Sequence, residues 1–232
     1  MTENKPKCLL TVGGRTILDS IIAKIDRIQD CDEILIVTNS RFYEQMNTWK
    51  KTASSKHPIR ILNDRTTSND DRLGAIGDLG LALNKTGTAS DVMMLASDNL
   101  FDQDLNAFVR FAQSKKGEVS TAVYDIQDPQ LAAKKYGVFE TDAAGKVLSI
   151  EEKPERPKTS LIGMGVYYFP GATLPRVAEY LADKNAKDAP GYYLQWLFKR
   201  STIFSFTFQG MWYDIGDLQA LEEANRLFKT QK

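Results

Sequence analysis

Thr16-Ile-Leu-Asp-Ser-Ile-Ile-Ala-Lys-Ile-Asp-Arg-Ile-Gln29, followed by Glu33-Ile-Leu-Ile-Val-Thr38, decides the fold class. In the first stretch Ile17, Leu18, Ile21, Ile22, Ile25 and Ile28 recur at helical spacing, which predicts one apolar helix face with Thr16 as its N-cap. The second is an unbroken β-branched run, too short for a helix, and predicts a buried strand. The alternation continues outward: a helix over 41–55 carrying Trp49, a short strand over 59–62, a helix over about 75–84 and an apolar strand over 91–97. Strands alternating with helices predict an α/β fold with a mainly parallel sheet covered on both faces. Ligands of such sheets sit beyond the carboxyl ends of the strands, and Asp98 stands there.

After residue 118 the pattern shifts. Residues 118–124, 137–140, 147–152 and 163–169 read as strands, joined by turns such as Asp142-Ala-Ala-Gly-Lys146. Helices are expected over 176–183, 191–199 and 218–228, with a strand over 202–208. No repeat, linker or low-complexity tract divides the chain, so residues 1–232 are expected to form a single domain, with halves of about 1–125 and 126–232.

Composition narrows the functional classes. The 232 residues are 42% hydrophobic, enough for one sizeable core. Thirty basic side chains balance thirty acidic ones, which argues against a general nucleic-acid binder. Cys8 and Cys31 have no zinc-ligand spacing and read as reduced thiols of a cytoplasmic protein. His57 is the sole histidine, which removes His-pair metal sites and disfavours a Ser-His-Asp triad. No run has the length of a membrane span, and polar residues follow Met1 where a signal peptide would be apolar.

Five short segments carry the candidate chemistry. Lys5-Pro6-Lys7 stands just before apolar Leu9-Leu10, where an ammonium can neutralise phosphate oxygens or simply be a solvated charge. Asp98-Asn99 follows a buried strand, and a hard carboxylate there suits Mg²⁺ as well as it suits a turn. Asp214, in Trp212-Tyr-Asp-Ile-Gly216, is a helix-cap candidate that could instead converge with Asp98 on one cation. Glu152-Lys153-Pro154 ends a strand, and Tyr136-Gly137 offers bare backbone. The long polar loop of residues 63–74 leads to Leu73-Gly74, whose amides could read a base edge.

The order and wording of these segments resemble the sugar-1-phosphate nucleotidyltransferases. Lys7-Cys-Leu-Leu-Thr-Val-Gly-Gly14 resembles the family's "PKxLLPVGG", with Thr11 at the usual proline, and Ser97-Asp98-Asn99 resembles its "GDN". Tyr136-Gly-Val138, Glu152-Lys-Pro154 and Gly163-Met-Gly-Val-Tyr-Tyr-Phe169 match later motifs, so the likeness covers nearly the whole chain. It implies a Rossmann-like mixed, mainly parallel sheet of the nucleotide-diphospho-sugar transferase type. It further implies nucleotidyl transfer from an NTP to a sugar 1-phosphate, giving an NDP-sugar and pyrophosphate. In that reading Lys7, Asp98, Lys153 and Asp214 are catalytic, and Asp98 and Asp214 hold Mg²⁺. Leu73 and Gly74 contact the base, and Tyr136, Gly137 and Glu152 contact the sugar. The first half would take the nucleotide and the second the sugar phosphate. No nucleic acid or membrane partner is implied, and a homo-oligomer is compatible with the reading.

The family's first strand and its G-x-G-T-R-L phosphate loop find no match here. The expectation is therefore either an upstream start or a shortened relative, and the alternative to the enzyme is a silent nucleotide-sugar-binding or regulatory module. A bifunctional enzyme with a left-handed helical acyltransferase domain is not expected. A metal-dependent glycosyltransferase would need a D-x-D pair, which Asp98-Asn-Leu100 does not supply; a dehydrogenase would need G-x-G-x-x-G. The wording around Tyr136 and Lys153 leans toward glucose-1-phosphate thymidylyl- and uridylyltransferases. Neither base nor sugar is fixed by sequence.

Overall fold

The computed structural model describes residues 4–68, 70–183, 188–216 and 218–228. In chain order its strands and helices are β1 (Thr11–Val12), β2 (Arg15–Thr16), α1 (Ile17–Ile25), β3 (Ile34–Thr38), α2 (Tyr43–Thr52), β4 (Ile59–Asn63), α3 (Ala75–Thr86), β5 (Val92–Leu95), β6 (Asn99–Phe101) and α4 (Leu105–Ser114). They continue as β7 (Val119–Asp125), β8 (Gly137–Thr141), β9 (Val147–Glu152), β10 (Leu161–Phe169), α5 (Pro175–Ala182), α6 (Pro190–Phe198), β11 (Ile203–Thr207), β12 (Trp212–Asp214) and α7 (Leu218–Phe228). Two compact units arise, one of residues 1–72, 96–106 and 210–232, the other of residues 73–95 and 107–209.

In the first unit the apolar face of α1 is buried as its spacing requires, with Ile17 and Ile22 at 0% and 1% exposure. Burying each such side chain contributes roughly 1.5–3 kcal/mol. The Thr16 hydroxyl accepts from the Asp19 amide at 3.0 Å, the expected N-cap. Asp19 also accepts from Trp49 Nε1 at 2.9 Å, which ties α1 to α2. Strands β3 and β4 pair in parallel from Ile34↔Ile59 to Thr38↔Asn63. β1 and β2 form a hairpin whose two-residue loop, Gly13-Gly14, has φ of 60° and 89°. Two successive left-handed residues are what a tight hairpin needs, and glycine supplies them without a Cβ clash. Asn225 of α7 secures this hairpin, accepting from Gly13 N at 3.2 Å and donating to Thr11 O at 3.3 Å.

The second unit holds a six-stranded sheet in the order β11-β7-β10-β8-β9, with β5 also on β10. Its core runs from Ile76 and Leu79 of α3 through Val119 and Val123 of β7 to Tyr180, Tyr193, Leu194 and Leu197 of α5 and α6. The mixed α/β class holds. Parallel pairing is confined to β3–β4 and β11–β7, and the other described ladders are antiparallel. Two of the antiparallel ladders are hairpins, β1–β2 and β8–β9; in the second, Asp142 accepts from Ala144 N and Lys146 N at 2.9 Å each and folds the chain from β8 back into β9, while the rest join strands distant in sequence. β10 slips register against β7 between Gly163 and Tyr167, and Gly165 inside that slip has φ of 72°.

Some elements escape the sequence pattern. α4 buries Phe108 and Ala112 at 0% and 1% exposure, and no helix was expected there. β6 and β12 are three residues each and were not anticipated as strands. Among the described residues no helix is long and apolar enough to cross a membrane.

Candidate active-site residues

The first unit brings Lys7, Asp98 and Asp214 into one neighbourhood. Lys7 opens a 3-10 turn, Lys7–Leu9, set by Pro6 and closed by Leu10 N donating to Lys7 O. Cys8 and Leu9 behind it are buried, so the turn is anchored while Lys7 faces outward. Its Nζ lies 3.7 Å from Asp98 Oδ2, both side chains being about a third exposed, at 37% and 35%.

A two-stranded ladder brings the backbones of Asp98 and Asp214 together. β6 and β12 pair antiparallel with Asn99 directly opposite Asp214, and Ile215 N donates to Asp98 O at 3.0 Å. Residues directly opposite in a ladder project on the same face. Asn99, buried to 6% exposure, also donates from Nδ2 to Asp98 Oδ1 at 3.3 Å. One amide side chain thus links the Asp98 carboxylate to the face that carries Asp214. Gly216 borders the Asp214 carboxylate, and a Cβ there would sit in ordinary contact at 3.8 Å from Oδ2.

Among the described residues no group of three or more Asp, Glu, His or Cys forms a closed cation cage. Asp98, just before β6, and Asp214, at the end of β12, are hard carboxylates of the kind that suits Mg²⁺, which keeps waters and takes phosphate oxygens as its remaining ligands. Burial, aided by the charge of Asp98, pushes the neighbouring Cys8 thiol up to about 11.

The second unit gathers another set. Gly137 opens β8 and stands opposite Glu152, the last residue of β9. A Cβ on Gly137 would come within 2.6 Å of Glu152 Oε2. Burial pushes the Glu152 carboxyl up, and the Lys153 charge pulls it partly back. Behind it, the Tyr167 phenol is pushed up, first by its own burial and then by Glu152. Lys153 has φ of 50°, in the left-handed region, and its N–H donates to Tyr136 O at 3.1 Å. Holding a non-glycine residue there costs on the order of 1–3 kcal/mol and redirects its side chain out of the β9 alternation. Leu73 and Gly74 lead into α3, where Gly74 (φ 75°) occupies the N-cap without a side-chain cap.

A family model described as Nucleotidyl transferase matches residues 1–231. The chain belongs to the nucleotidyl transferase family. Among curated nucleotidyl transferases, the glucose-1-phosphate adenylyltransferase of Clostridium acetobutylicum is 30% identical over 137 residues, 58% of this chain and 36% of that protein. The bifunctional protein GlmU of Methanocaldococcus jannaschii is 24% identical over 229 residues, 97% of this chain and 50% of that protein. The chain therefore spans between about a third and half of the length of these relatives. A Bacillus anthracis crystal structure, described as a glucose-1-phosphate thymidylyltransferase in complex with a sucrose, superposes with a TM-score of 0.74 over 100% of this chain and 89% of its own, at 22% identity. That likeness establishes the nucleotidyl transferase fold.

Three residues of this nucleotidyl transferase chain were not singled out by sequence reasoning. Asn99 was read only as the neighbour of Asp98. Asn225 lies mid-helix, 212 residues from the Gly13 that it holds, and nothing local marks it. Gly191 follows Pro190 at the start of α6, and a glycine inside a helix is the one signal that could have found it.

Proposed function

We propose that this chain transfers a nucleotidyl group from an NTP to a sugar 1-phosphate. A phosphate oxygen of the sugar phosphate attacks the α-phosphorus in line. The bond from that phosphorus to the bridging β-phosphate oxygen breaks, and pyrophosphate leaves with the bonding electrons. Such catalysis is positioning and electrostatics, with no covalent nucleophile. The observation that carries the reading is the Asp98–Asn99–Asp214 ladder with Lys7 at its edge.

Asp98 and Asp214 would hold Mg²⁺, which when bound neutralises the nucleotide phosphates. Lys7 neutralises phosphate oxygens as a point charge, and Lys153 holds the sugar phosphate. Leu73 and Gly74 present backbone to the base edge. Tyr136, Gly137 and Glu152 meet the sugar, Gly137 by bare backbone and Glu152 by accepting from hydroxyls. The free thiols Cys8 and Cys31 suit a reducing compartment and support a cytoplasmic setting.

The test is pyrophosphate release with Mg²⁺ against a panel of nucleoside triphosphates and hexose 1-phosphates. The expected result is release that depends on one triphosphate, one sugar phosphate and the metal together. Silence across the whole panel would overturn the reading.

A further inference from the structure

We infer that Gly191 is a positioning residue for sugar recognition, its missing side chain leaving the space in which the Glu152 carboxylate lies ready for ring hydroxyls. The inference rests on the proposed transfer to a sugar 1-phosphate. A Cβ on Gly191 would fall on the Glu152 carboxyl group, closer to Oε2 and Cδ than any real contact. Gly137 also borders this carboxylate, where an added Cβ would come within 2.6 Å of the same oxygen. The carboxylate is thus walled by two bare backbones, one from β8 and one from the first turn of α6.

Local preference does not explain this glycine. Gly191 lies inside α6 just after Pro190, with no left-handed φ to justify it. It stands second in the helix, in the first turn, where a helical φ gives glycine no advantage over alanine. The requirement comes from across the fold, from Glu152. One turn further along the same helix face, Gln195 Nε2 donates to Ile150 O at 3.0 Å and pins α6 to β9. A shift of the helix to make room for a larger residue would break that hydrogen bond, at a cost of about 1 kcal/mol.

The carboxylate so placed keeps its oxygens open to solvent and to a ligand. Among the described residues Glu152 accepts no hydrogen bond and joins no ion pair, although it is half-buried. A carboxylate in that state takes donors from a ligand, and a pair of neighbouring hydroxyls offers two. Lys153 and the Tyr167 phenol are the titratable groups facing it. The substrate class that follows is a neutral, hydroxyl-bearing hexose 1-phosphate, since a carboxylated ring would set like charges against each other.

The experiment compares wild type, Gly191→Ala, Glu152→Asp and the double variant. Two readouts are taken: carbon-13 titration of the carboxyl at position 152 without ligand, and steady-state kinetics. In Gly191→Ala the displaced carboxyl should titrate lower, nearer an ordinary glutamate. The KM for sugar 1-phosphate should rise about tenfold or more while the KM for the triphosphate holds, because the loss is one of placement. In the shorter Glu152→Asp background, Gly191→Ala should have little further effect on either readout. Unchanged titration and sugar KM in an active Gly191→Ala enzyme overturn the inference. A Gly191→Ala protein that folds only with Glu152→Asp supports the contact, and failure of both to fold overturns it. Wild type that transfers no nucleotide overturns the functional reading instead, and the sugar role of Gly191 with it.

Discussion

Asn99 Nδ2 donates to Asp98 Oδ1 while the same residue stands opposite Asp214 in the β6–β12 ladder. The buried amide orients the Asp98 carboxylate, and its backbone stands opposite Asp214, so under the proposed function it would support the metal through Asp98. Removing such a support typically costs 10–100-fold in metal affinity. In Asn99→Ala the Mg²⁺ concentration for half-maximal rate should therefore rise about tenfold or more, with much of kcat recovered at saturating metal. A magnesium titration of the rate checks this, and an unchanged midpoint would remove Asn99 from the metal's support.

Asp98→Asn and Lys7→Met should separate activity from stability. The Lys7–Asp98 pair is 3.7 Å long and about a third exposed, so it is worth less than about 1 kcal/mol to the fold. The ladder survives because Ile215 pairs with the Asp98 backbone and not its side chain. Turnover should fall by about 10²-fold or more in each variant, the scale of losing a fixed charge at a reacting centre. Thermal melts alongside pyrophosphate release test the pair of claims. A large drop in melting temperature in either variant would assign it a structural role.

The legible parts of this molecule are those written in local chemistry. The α1 stripe, its Thr16 cap, the Gly13-Gly14 hairpin and the β-branched β3 all follow from neighbours within a few residues. Lys7, Asp98 and Asp214 were legible as motif residues, but the agent that joins two of them was not. Asn99 acts through a pairing with a strand more than a hundred residues later, and β12 is too short to show periodicity. Gly191 was hidden for the same reason: its constraint is the carboxylate of Glu152, on another element. The antiparallel share of the sheet likewise depends on which strands meet, and the strand–helix alternation carries no such information.

Lys153 offers a test of stored backbone strain. Its φ of 50° is unfavourable for lysine and natural for glycine. Lys153→Gly should keep the melting temperature within a few degrees, the relief of strain offsetting the greater freedom of the unfolded chain. Lys153→Ala keeps the strain and also loses the ammonium, so it should be the less stable variant, by up to about 1 kcal/mol. Both should raise the sugar-phosphate KM alike, since both lack the charge. Denaturant melts rank the stabilities, and a more stable alanine variant would show that the left-handed turn is not the determinant.

The two thiols should react in a fixed order. Cys8 is buried at 8% exposure, and its thiol is held up at about 11, so at pH 8 almost no thiolate forms and little reagent reaches it. Cys31 is only partly buried, although burial and then Asp32 and Asp26 also raise its thiol. A thiol-specific chromophore should label Cys31 in the native protein and Cys8 only on unfolding. Equal rates at both sites would show that the Pro6–Leu10 turn opens readily.

Glu152 makes the stability of the second unit depend on pH. Its carboxyl is pushed above the ordinary value of 4.5 by burial, so the folded state binds the proton more tightly than the unfolded chain does. The stabilising contribution is complete below that ordinary value and is lost as pH rises through the raised, folded value. Glutamine mimics the protonated form and does not titrate. Glu152→Gln should therefore melt with wild type below about pH 4 and above it at neutral pH, the gap opening between those limits. Melting curves of both proteins from pH 4 to 8 measure that gap directly, and a gap constant with pH would mean that the Glu152 carboxylate is as well solvated in the fold as out of it.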